Sequence, residues 1–186
     1  MKKQVILASA SPRRKELLET IIESFEIYPC PFDEDHPNLS PVAFVKYLAK
    51  FKAQSVFDLL TDKKDKVVIG SDTIVVKNAK IIGKPKDEED AKIILKKLSG
   101  KTHRVYTGVC IVSDTRQKVF CVWSRVKFFK LTEKQIEDYI STGSAMDKAG
   151  AYGIQDSGFV KKVYGSKSCV VGLPIERLKK EIKNFL

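Results

Sequence analysis

Hydrophobic positions in the first third of the chain switch between strand-like and helix-like spacing. Val5-Ile6-Leu7-Ala8 is a short apolar run typical of a buried strand. Ser11-Pro12 follows, and this pair predicts a helix cap with proline at the first helical position. The apolar stripe of that helix consists of Leu17, Leu18, Ile21 and Ile22. Phe25 to Tyr28 predicts a second, short strand.

The next segment repeats this order with a longer helix. Ser40-Pro41 again predicts a capped helix, which runs toward Leu60. Its apolar stripe contains Phe44, Val45, Leu48, Ala49 and Lys52. Val67-Val68-Ile69 predicts a buried strand that ends at Gly70-Ser71-Asp72. Ile74 to Val76 and Ile81-Ile82 flank Asn78 and predict a hairpin.

The second half continues the mixture of helices and strands. Asp87 caps a helix that Gly100 closes, and its inward positions are expected to be Ile93, Ile94, Leu95 and Leu98. Long β-type runs cover Val105 to Val112 and Val119 to Phe129. Thr132 and Gln135 form a capping box, and a C-terminal amphipathic helix starts at Pro174. The pattern predicts one α/β domain over residues 1–186, with a mixed sheet flanked by helices.

Composition adds limits on the kind of protein. The chain has 186 residues, with 43% hydrophobic and 31% charged, which is ordinary for a globular protein with a real core. No apolar run is long enough for a signal peptide or a membrane span, so we expect neither. The four cysteines are scattered, with no CxxC pair, which makes structural zinc unexpected and favours the cytoplasm. Cys110 and Cys121 are expected to be buried.

Charge narrows the choice of partner. The chain has 34 Lys and Arg against 23 Asp and Glu, a formal net charge of +11. Such an excess favours polyanions such as nucleotides or nucleic acid. Much of it lies in lysine-rich stretches such as Lys63 to Lys66, Lys161-Lys162 and Lys179-Lys180, which are typical of solvated faces.

The first candidate for chemistry is the turn from Ala8 to Arg14, with the sequence ASASPRR. A helix start offers unpaired N–H groups and the positive end of a dipole to an anion. Ser9 and Ser11 add hydroxyl donors, while Arg13 and Arg14 add guanidinium groups that match phosphate oxygens. A plain Ser-Pro cap with exposed arginines, or a basic turn that follows a DNA backbone, would give the same pattern.

Acidic residues supply a second set of candidates. Asp72, followed by Thr73, is expected at the carboxyl end of a strand, where ligands bind in α/β sheets. Its carboxylate could hold a divalent cation or act as general base, or Asp72-Thr73 could simply close the strand as an Asx turn. The loop Asp33-Glu34-Asp35 offers further oxygen ligands, although acidic loops are usually only solvated.

Lysines and one amide complete the candidates. Lys52 falls on the apolar face of its helix, where a solvated lysine is not expected. Lys84 and Lys148 carry no information individually. Gln155 presents an acceptor and two donors that could pair with a base edge, although a lone glutamine is usually structural or exposed. His36 and His103 are not expected to be catalytic.

Taken in order, these segments resemble the Maf-like nucleoside triphosphate pyrophosphatases, in the branch acting on dTTP and UTP. The matching segments are Ala8 to Arg14, Asp33-Glu34, Leu48-Ala49 with Lys52-Ala53, Gly70 to Thr73, Gly83-Lys84-Pro85, Leu98 to Gly100 with His103, Asp147 to Gln155, and Val170 to Pro174. The ordered set is specific even though each segment alone is weak. The chain departs from the family pattern at Ser144-Ala145, where an acidic residue and a proline are usual.

The resemblance implies hydrolysis of a nucleoside triphosphate to monophosphate and pyrophosphate with Mg²⁺ or Mn²⁺. It also implies an elongated α/β fold, related to the inosine triphosphatases, with two lobes around a cleft. The implied general base is Asp72, and the implied specificity positions are Arg13, Thr73 and Gln155. A homodimer and a link to septum or cell-shape control are further expectations from the family.

These implications lead to a full hypothesis for the site. The triphosphate would be bound by Ser9, Ser11, the helix N–H groups, Arg13 and Arg14, and Lys52 and Lys84 would balance its charge. Lys148 is a further candidate for binding the substrate. Glu34 and Asp72 would hold the cation. The hypothesis requires the serine-arginine turn and Asp72 to line one groove. A basic nucleic-acid-binding or regulatory protein, and an inosine or xanthosine triphosphate pyrophosphatase, are the alternatives; nucleic acid is not the expected partner.

Overall fold

Strands and helices alternate along the chain. The computed structural model describes residues 3–34 and 37–186. Its strands are β1 (Gln4–Leu7), β2 (Glu26–Ile27), β3 (Lys66–Lys77), β4 (Lys80–Ile82), β5 (Thr102–Val112), β6 (Gln117–Phe128) and β7 (Val160–Tyr164). They form one mixed sheet in the order β2-β1-β3-β5-β6-β7, with β4 paired to the far end of β3. β1 is parallel to β2 and β3, and the other pairings are antiparallel.

Helices cover both faces of this sheet. They are α1 (Pro12–Glu19), α2 (Pro41–Leu59), α3 (Glu88–Leu98), α4 (Glu133–Ile140), α5 (Lys167–Val171) and α6 (Ile175–Glu181), with 3₁₀ turns at Ala149–Ala151 and Ile182–Asn184. The Asp87 side chain accepts a hydrogen bond from the Asp90 N–H at the start of α3. Thr132 and Gln135 form both bonds of the predicted capping box at α4. The caps predicted at Asp87 and Thr132 are therefore confirmed, while Ser11 and Ser40 occupy the N-cap positions of α1 and α2 without a side-chain capping bond.

Strand β3 is longer than expected. Asp72 lies in the middle of β3, whose pairing with β5 runs without a break from Val68 to Val76. The prediction that the strand ends at Gly70-Ser71-Asp72 is wrong, because these residues keep a partner strand on one side. The hairpin after β3 is confirmed: Asn78 and Ala79 take positive φ values of 50° and 60°, as a tight two-residue turn requires.

The hydrophobic core has two main centres on either side of a cleft. Around β1 and the first half of β3, the core includes Leu7, Leu18, Ile69, Ile111 and Leu178. Around α3, α4 and the far ends of β5 and β6, it includes Leu95, Leu98, Val126, Phe128 and Ile136. The long strands β3 and β5 run through both centres, which gives two lobes joined by a shared sheet.

Several local expectations are corrected. Ile93 is 62% exposed, because the inward face of α3 is formed by Ala91, Ile94, Leu95 and Leu98. Cys110 is buried as expected, but Cys121 is only half-buried, since it lies where α2 covers the sheet incompletely. Lys161 and Lys162, by contrast, are exposed as expected, and they lie on strand β7. In the part of the chain that the structure describes, every helix is too short or too polar to span a membrane.

Candidate functional site at a gap in the sheet

A gap in strand pairing leaves one edge of β3 without a neighbouring strand. The pairing of β1 with β3 ends at Leu7 and Ile69, and the pairing of β4 begins at Val75 and Ile82. Residues 70–74 therefore have a strand neighbour only on the β5 side. A cleft of about 940 Å³ lies at this gap, within the size range of small-molecule sites.

Two glycines bring helix α2 close to the sheet beside the gap. A Cβ atom on Gly70 would lie 2.5 Å from the Ala49 carbonyl oxygen, and one on Gly108 would lie 2.1 Å from that of Val45. Only the absence of side chains at these positions permits such an approach. The close packing turns Lys52, on the next turn of the helix, toward the middle of β3.

Lys52 joins two carboxylates at this point. Its Nζ lies 2.5 Å from Oδ1 of Asp72 and 2.9 Å from Oε1 of Glu34. The Lys52 and Asp72 side chains are only 12% and 13% exposed, so this pair is largely shielded from water. The ion pair explains why Lys52 occupies the apolar stripe of α2, an unusual position for a lysine.

The donor set fits a hard divalent cation. Lys52 contacts one oxygen of Asp72 and one of Glu34, which leaves the second oxygen of each carboxylate to a ligand. Mg²⁺ is typically held by one or two carboxylates together with substrate phosphates and water. Residues 3–34 and 37–186 contain no group of three His, Cys, Asp or Glu side chains arranged for a metal. Asp35 and His36 lie outside the described residues.

The serine-arginine turn forms the adjoining wall of the cleft. Ser9 Oγ accepts hydrogen bonds from the Ser11 N–H and from Nη1 of Arg14, each at 3.2 Å. Ser11 is the N-cap of α1, its side chain makes no capping bond, and the first turn of the helix carries no acidic residue. The positive end of α1 is thus left for an anionic ligand.

Arg14 is fixed in place by three acceptors. Nε donates to the Gly172 carbonyl oxygen at 3.0 Å, Nη1 to Ser9, and Nη2 to Oγ1 of Thr73 at 3.3 Å. Burial lowers the pKa of the Arg14 guanidinium from its ordinary value, and the charge of Asp72 opposes this shift. Arginine still stays protonated at neutral pH, so the turn presents a fixed positive charge.

The opposite wall carries a second charged cluster. Lys148 Nζ lies 2.8 Å from Oδ1 of Asp147 and 3.4 Å from Oδ2 of Asp156. Arg13 reaches across the cleft, with Nη1 at 3.3 Å from Oδ2 of Asp147. Burial would raise the pKa of Asp147, but the Lys148 hydrogen bond and the Arg13 charge outweigh burial and lower it.

The remaining candidates, Lys84, Gln155 and Thr73, also line the cleft. Lys84 and Gln155 are both exposed. Within the described part of the chain, Lys84 forms no ion pair. Thr73 points to the face of β3 opposite Asp72 and contacts Thr107, with 2.9 Å between their Oγ1 atoms. The cleft therefore collects every residue of the hypothesis, from Ser9 to Gln155, and the serine-arginine turn and Asp72 share one groove as expected.

Sequence reasoning missed the partners that fix Lys148. Asp156 forms an ion pair with Lys148 and also accepts a hydrogen bond at Oδ1 from the Tyr139 hydroxyl, at 3.0 Å. The Tyr139 oxygen in turn accepts from the Gly153 N–H at 3.0 Å. Asp147 could have been found as the neighbour of Lys148, but no local signal marked Tyr139 or Asp156.

The fold and the cleft define a class of protein: an α/β protein with an open, mixed sheet and two lobes. The cleft between the lobes is lined by arginines, lysines and carboxylates. The chain belongs to the Maf-like protein family, which it matches over residues 4–185. A dTTP/UTP pyrophosphatase of Geobacillus sp. (strain WCH70) is 48% identical over 186 residues, with 98% of each chain covered. One of Bacillus cereus (strain G9842) is 46% identical over 186 residues, covering 98% of this chain and 96% of the relative. One of Clostridium botulinum (strain Kyoto / Type A2) is 47% identical over 184 residues, covering 95% and 94%.

Proposed function

We propose that the protein hydrolyses dTTP and UTP to the monophosphate and pyrophosphate, with a divalent cation as cofactor. The observation that carries the proposal is that the serine-arginine turn and the Lys52–Asp72 pair line one cleft of nucleotide size. Relatives named dTTP/UTP pyrophosphatase, about half identical over nearly the whole chain, support the choice of substrate.

The triphosphate would be held by the residues at the start of α1. Ser9, Ser11 and the free N–H groups of the helix donate to phosphate oxygens. Arg13 and Arg14 supply planar, charged donors, and Arg14 is already oriented by its three contacts. Its fixed orientation reduces the entropy lost on binding.

Hydrolysis needs a nucleophilic water and neutralisation of charge on the leaving pyrophosphate. Asp72 is the proposed general base, since its carboxylate faces the cleft from the middle of β3. Lys52, held against Asp72, and the exposed Lys84 would balance charge on the phosphates. Glu34 and Asp72 would hold Mg²⁺ or Mn²⁺, which when bound polarises phosphate oxygens and favours attack by water.

The nucleotide's pyrimidine base would be recognised in another part of the cleft. Gln155 is exposed there, and its amide can pair with the edge of a pyrimidine. Thr73 shapes the same cleft, and Lys148 is held by Asp147 and Asp156 for a contact with the substrate.

The proposal also covers the extent of the catalytic domain, the cellular compartment and the oligomeric state. Residues from Ala8 to Val171 contribute to one cleft, which supports residues 1–186 acting as a single catalytic domain. Four free thiols fit the reducing cytoplasm. A homodimer, and a role in septum control, rest on the family resemblance alone.

The substrate is tested with a panel of nucleoside triphosphates. Pyrophosphate release is measured with Mg²⁺ and with Mn²⁺ for dTTP, UTP, CTP, GTP, and inosine and xanthosine triphosphates. We expect the highest kcat/KM for dTTP and UTP, and no release without a divalent cation. Preference for the inosine or xanthosine nucleotide would favour the alternative enzyme instead.

The catalytic proposal is tested with Asp72→Asn, which keeps the size of the side chain and removes its charge. We expect kcat to fall by about 10²–10⁴, as for loss of a general base. Asp114→Asn makes the same chemical change at an exposed turn outside the cleft and should leave kcat unaltered. Near-normal turnover by Asp72→Asn would overturn the role of Asp72 and leave the substrate assignment standing.

A further inference from the structure

Part of one sheet face is left uncovered and carries a regular set of cationic and aromatic side chains. This basic aromatic face consists of Arg104, Trp123, Arg125, Lys127, Lys162 and Tyr164. Helix α2 packs on the same side of the sheet but reaches only as far as Tyr106 and Cys121. Beyond that point, side chains on alternate positions of β5, β6 and β7 point to solvent.

The strand register arranges these side chains in rows. Arg104, Arg125 and Tyr164 lie directly opposite one another on β5, β6 and β7. Lys127 and Lys162 form the next row. Two arginines in one row and two lysines in the next are like charges at direct cross-strand positions, an arrangement that destabilises a sheet.

The part of the chain that the structure describes shows no carboxylate that offsets this repulsion. Among the residues that the structure describes, no carboxylate forms an ion pair with any cation of the basic aromatic face. Lysines on an edge strand commonly prevent pairing with other sheets, which accounts for Lys162 on β7. Arg104 and Arg125 lie on inner strands, where that explanation does not apply. Two arginines paired across inner strands with no carboxylate partner in the described ranges point to an anionic ligand.

The aromatic residues indicate what kind of anion would bind. Trp123 is 49% exposed and Tyr164 is 42% exposed, so both rings offer surface to a ligand. The guanidinium of Arg104 lies 5.3 Å from the Trp123 ring centroid, and that of Arg125 lies 5.3 Å from the Tyr164 centroid. Trp123 also packs on Tyr106, with 6.2 Å between ring centroids, so its ring is supported from the sheet. Exposed rings and guanidinium planes are surfaces on which unpaired bases stack.

We propose that the basic aromatic face binds single-stranded nucleic acid, a function separate from nucleotide hydrolysis in the cleft. The cations contact the phosphate backbone, and Trp123 and Tyr164 stack with bases. A second copy of this chain is a poor occupant, because a two-fold contact would bring the same cations face to face. Duplex DNA would meet the cations but could not stack its paired bases on the rings.

The chain contains one tryptophan, so its fluorescence reports directly on this face. The full protein is titrated with a labelled single-stranded oligonucleotide of about 12 nucleotides, in DNA and RNA form, while anisotropy and Trp123 emission are recorded. We expect binding that quenches Trp123, weakens as salt rises, and persists with pyrophosphate saturating the cleft. Trp123→Phe, which keeps a ring, should bind better than Trp123→Ala, whose affinity should fall at least about fivefold.

Charge is tested with the double variant Arg104→Glu/Arg125→Glu. We expect it to lose oligonucleotide binding and to keep dTTP hydrolysis, which also shows that it is folded. Lys179→Glu/Lys180→Glu changes the net charge equally on exposed positions of α6 and should bind like the wild type. Any of four results would overturn the proposal. They are an equal loss of oligonucleotide binding in both double variants, binding that does not quench Trp123, equal affinity for duplex DNA, and preference for anionic lipid vesicles.

Discussion

Val45 and Gly108 meet through their main chains: a Cβ atom at position 108 would lie 2.1 Å from the Val45 carbonyl oxygen. This contact sets the distance between α2 and the sheet. Lys52 lies two turns further along the same helix, and its ammonium group is 2.5 Å from Asp72 Oδ1. Asp72 is the direct cross-strand partner of Gly108, so the glycine and the ion pair belong to one arrangement.

Gly108→Ala should therefore disturb both stability and catalysis. The added methyl group meets backbone rather than a flexible side chain, so α2 must shift. We expect a loss of about 3 kcal/mol in the free energy of unfolding, the upper end for an overpacked core. Urea unfolding followed by circular dichroism measures this loss. Gly83→Ala is the control: its Cβ would meet nothing within 4 Å, so its unfolding free energy should not fall.

Lys52→Met tests the ammonium group itself. Methionine keeps most of the length and packing of lysine but leaves Asp72 and Glu34 facing each other without a cation. We expect kcat for dTTP to fall by about 10²–10³, as when one charge-stabilising donor is removed. Lys50→Met makes the same change on the exposed side of α2 and should leave kcat unchanged. A kcat within about twofold of the wild type would contradict the role of Lys52.

Gln155→Ala tests recognition of the base. If the amide pairs with the pyrimidine edge, kcat/KM for dTTP and UTP should fall about tenfold, which corresponds to the loss of one hydrogen bond. The kcat/KM for poor substrates should change little. The measurement is the ratio of kcat/KM for UTP to that for GTP. Gln117→Ala, at the far end of β6, should leave the ratio unaltered. A uniform loss on all nucleotides would contradict base reading.

Much of the fold could be predicted because its signals are local. Helix caps at Asp87 and Thr132 and the turn at Asn78 follow from residues within four positions of one another. Lys52 could be singled out because a charge on an apolar stripe needs a buried partner. The pattern wrongly predicts a strand end at Ser71, Asp72 and Thr73, because polar residues after an apolar run usually mark a turn.

The family resemblance implies a cleft, but local patterns do not locate it, because its position depends on pairing between distant segments. The gap beside Asp72 exists because β1 stops opposite Ile69 and β4 starts opposite Val75. Likewise, the ion pair between Arg13 and Asp147 joins residues 134 positions apart. Neither relationship leaves a mark on local composition or periodicity.

We expect His103 to make the stability of the protein depend on pH. It is 3% exposed, its Nε2 lies 2.7 Å from the Tyr152 hydroxyl, and its Nδ1 has no partner in the described residues. Burial lowers the pKa of His103 to about 4, and the charge of Lys77 adds to this shift. An unfolded histidine binds a proton near its ordinary pKa of 6.5. Between these two values the unfolded state holds more protons, so stability falls as pH falls.

Lowering the pH from about 7.5 to about 5 should therefore cost about 2 kcal/mol of unfolding free energy through His103 alone. His103→Gln removes the titration and keeps a polar side chain beside the Tyr152 hydroxyl. The variant is expected to be less stable than the wild type at neutral pH, but its stability should change less between the two pH values. Urea unfolding at both pH values measures the difference. Equal pH dependence in the two proteins would mean that His103 takes up its proton in the folded state near its ordinary pKa.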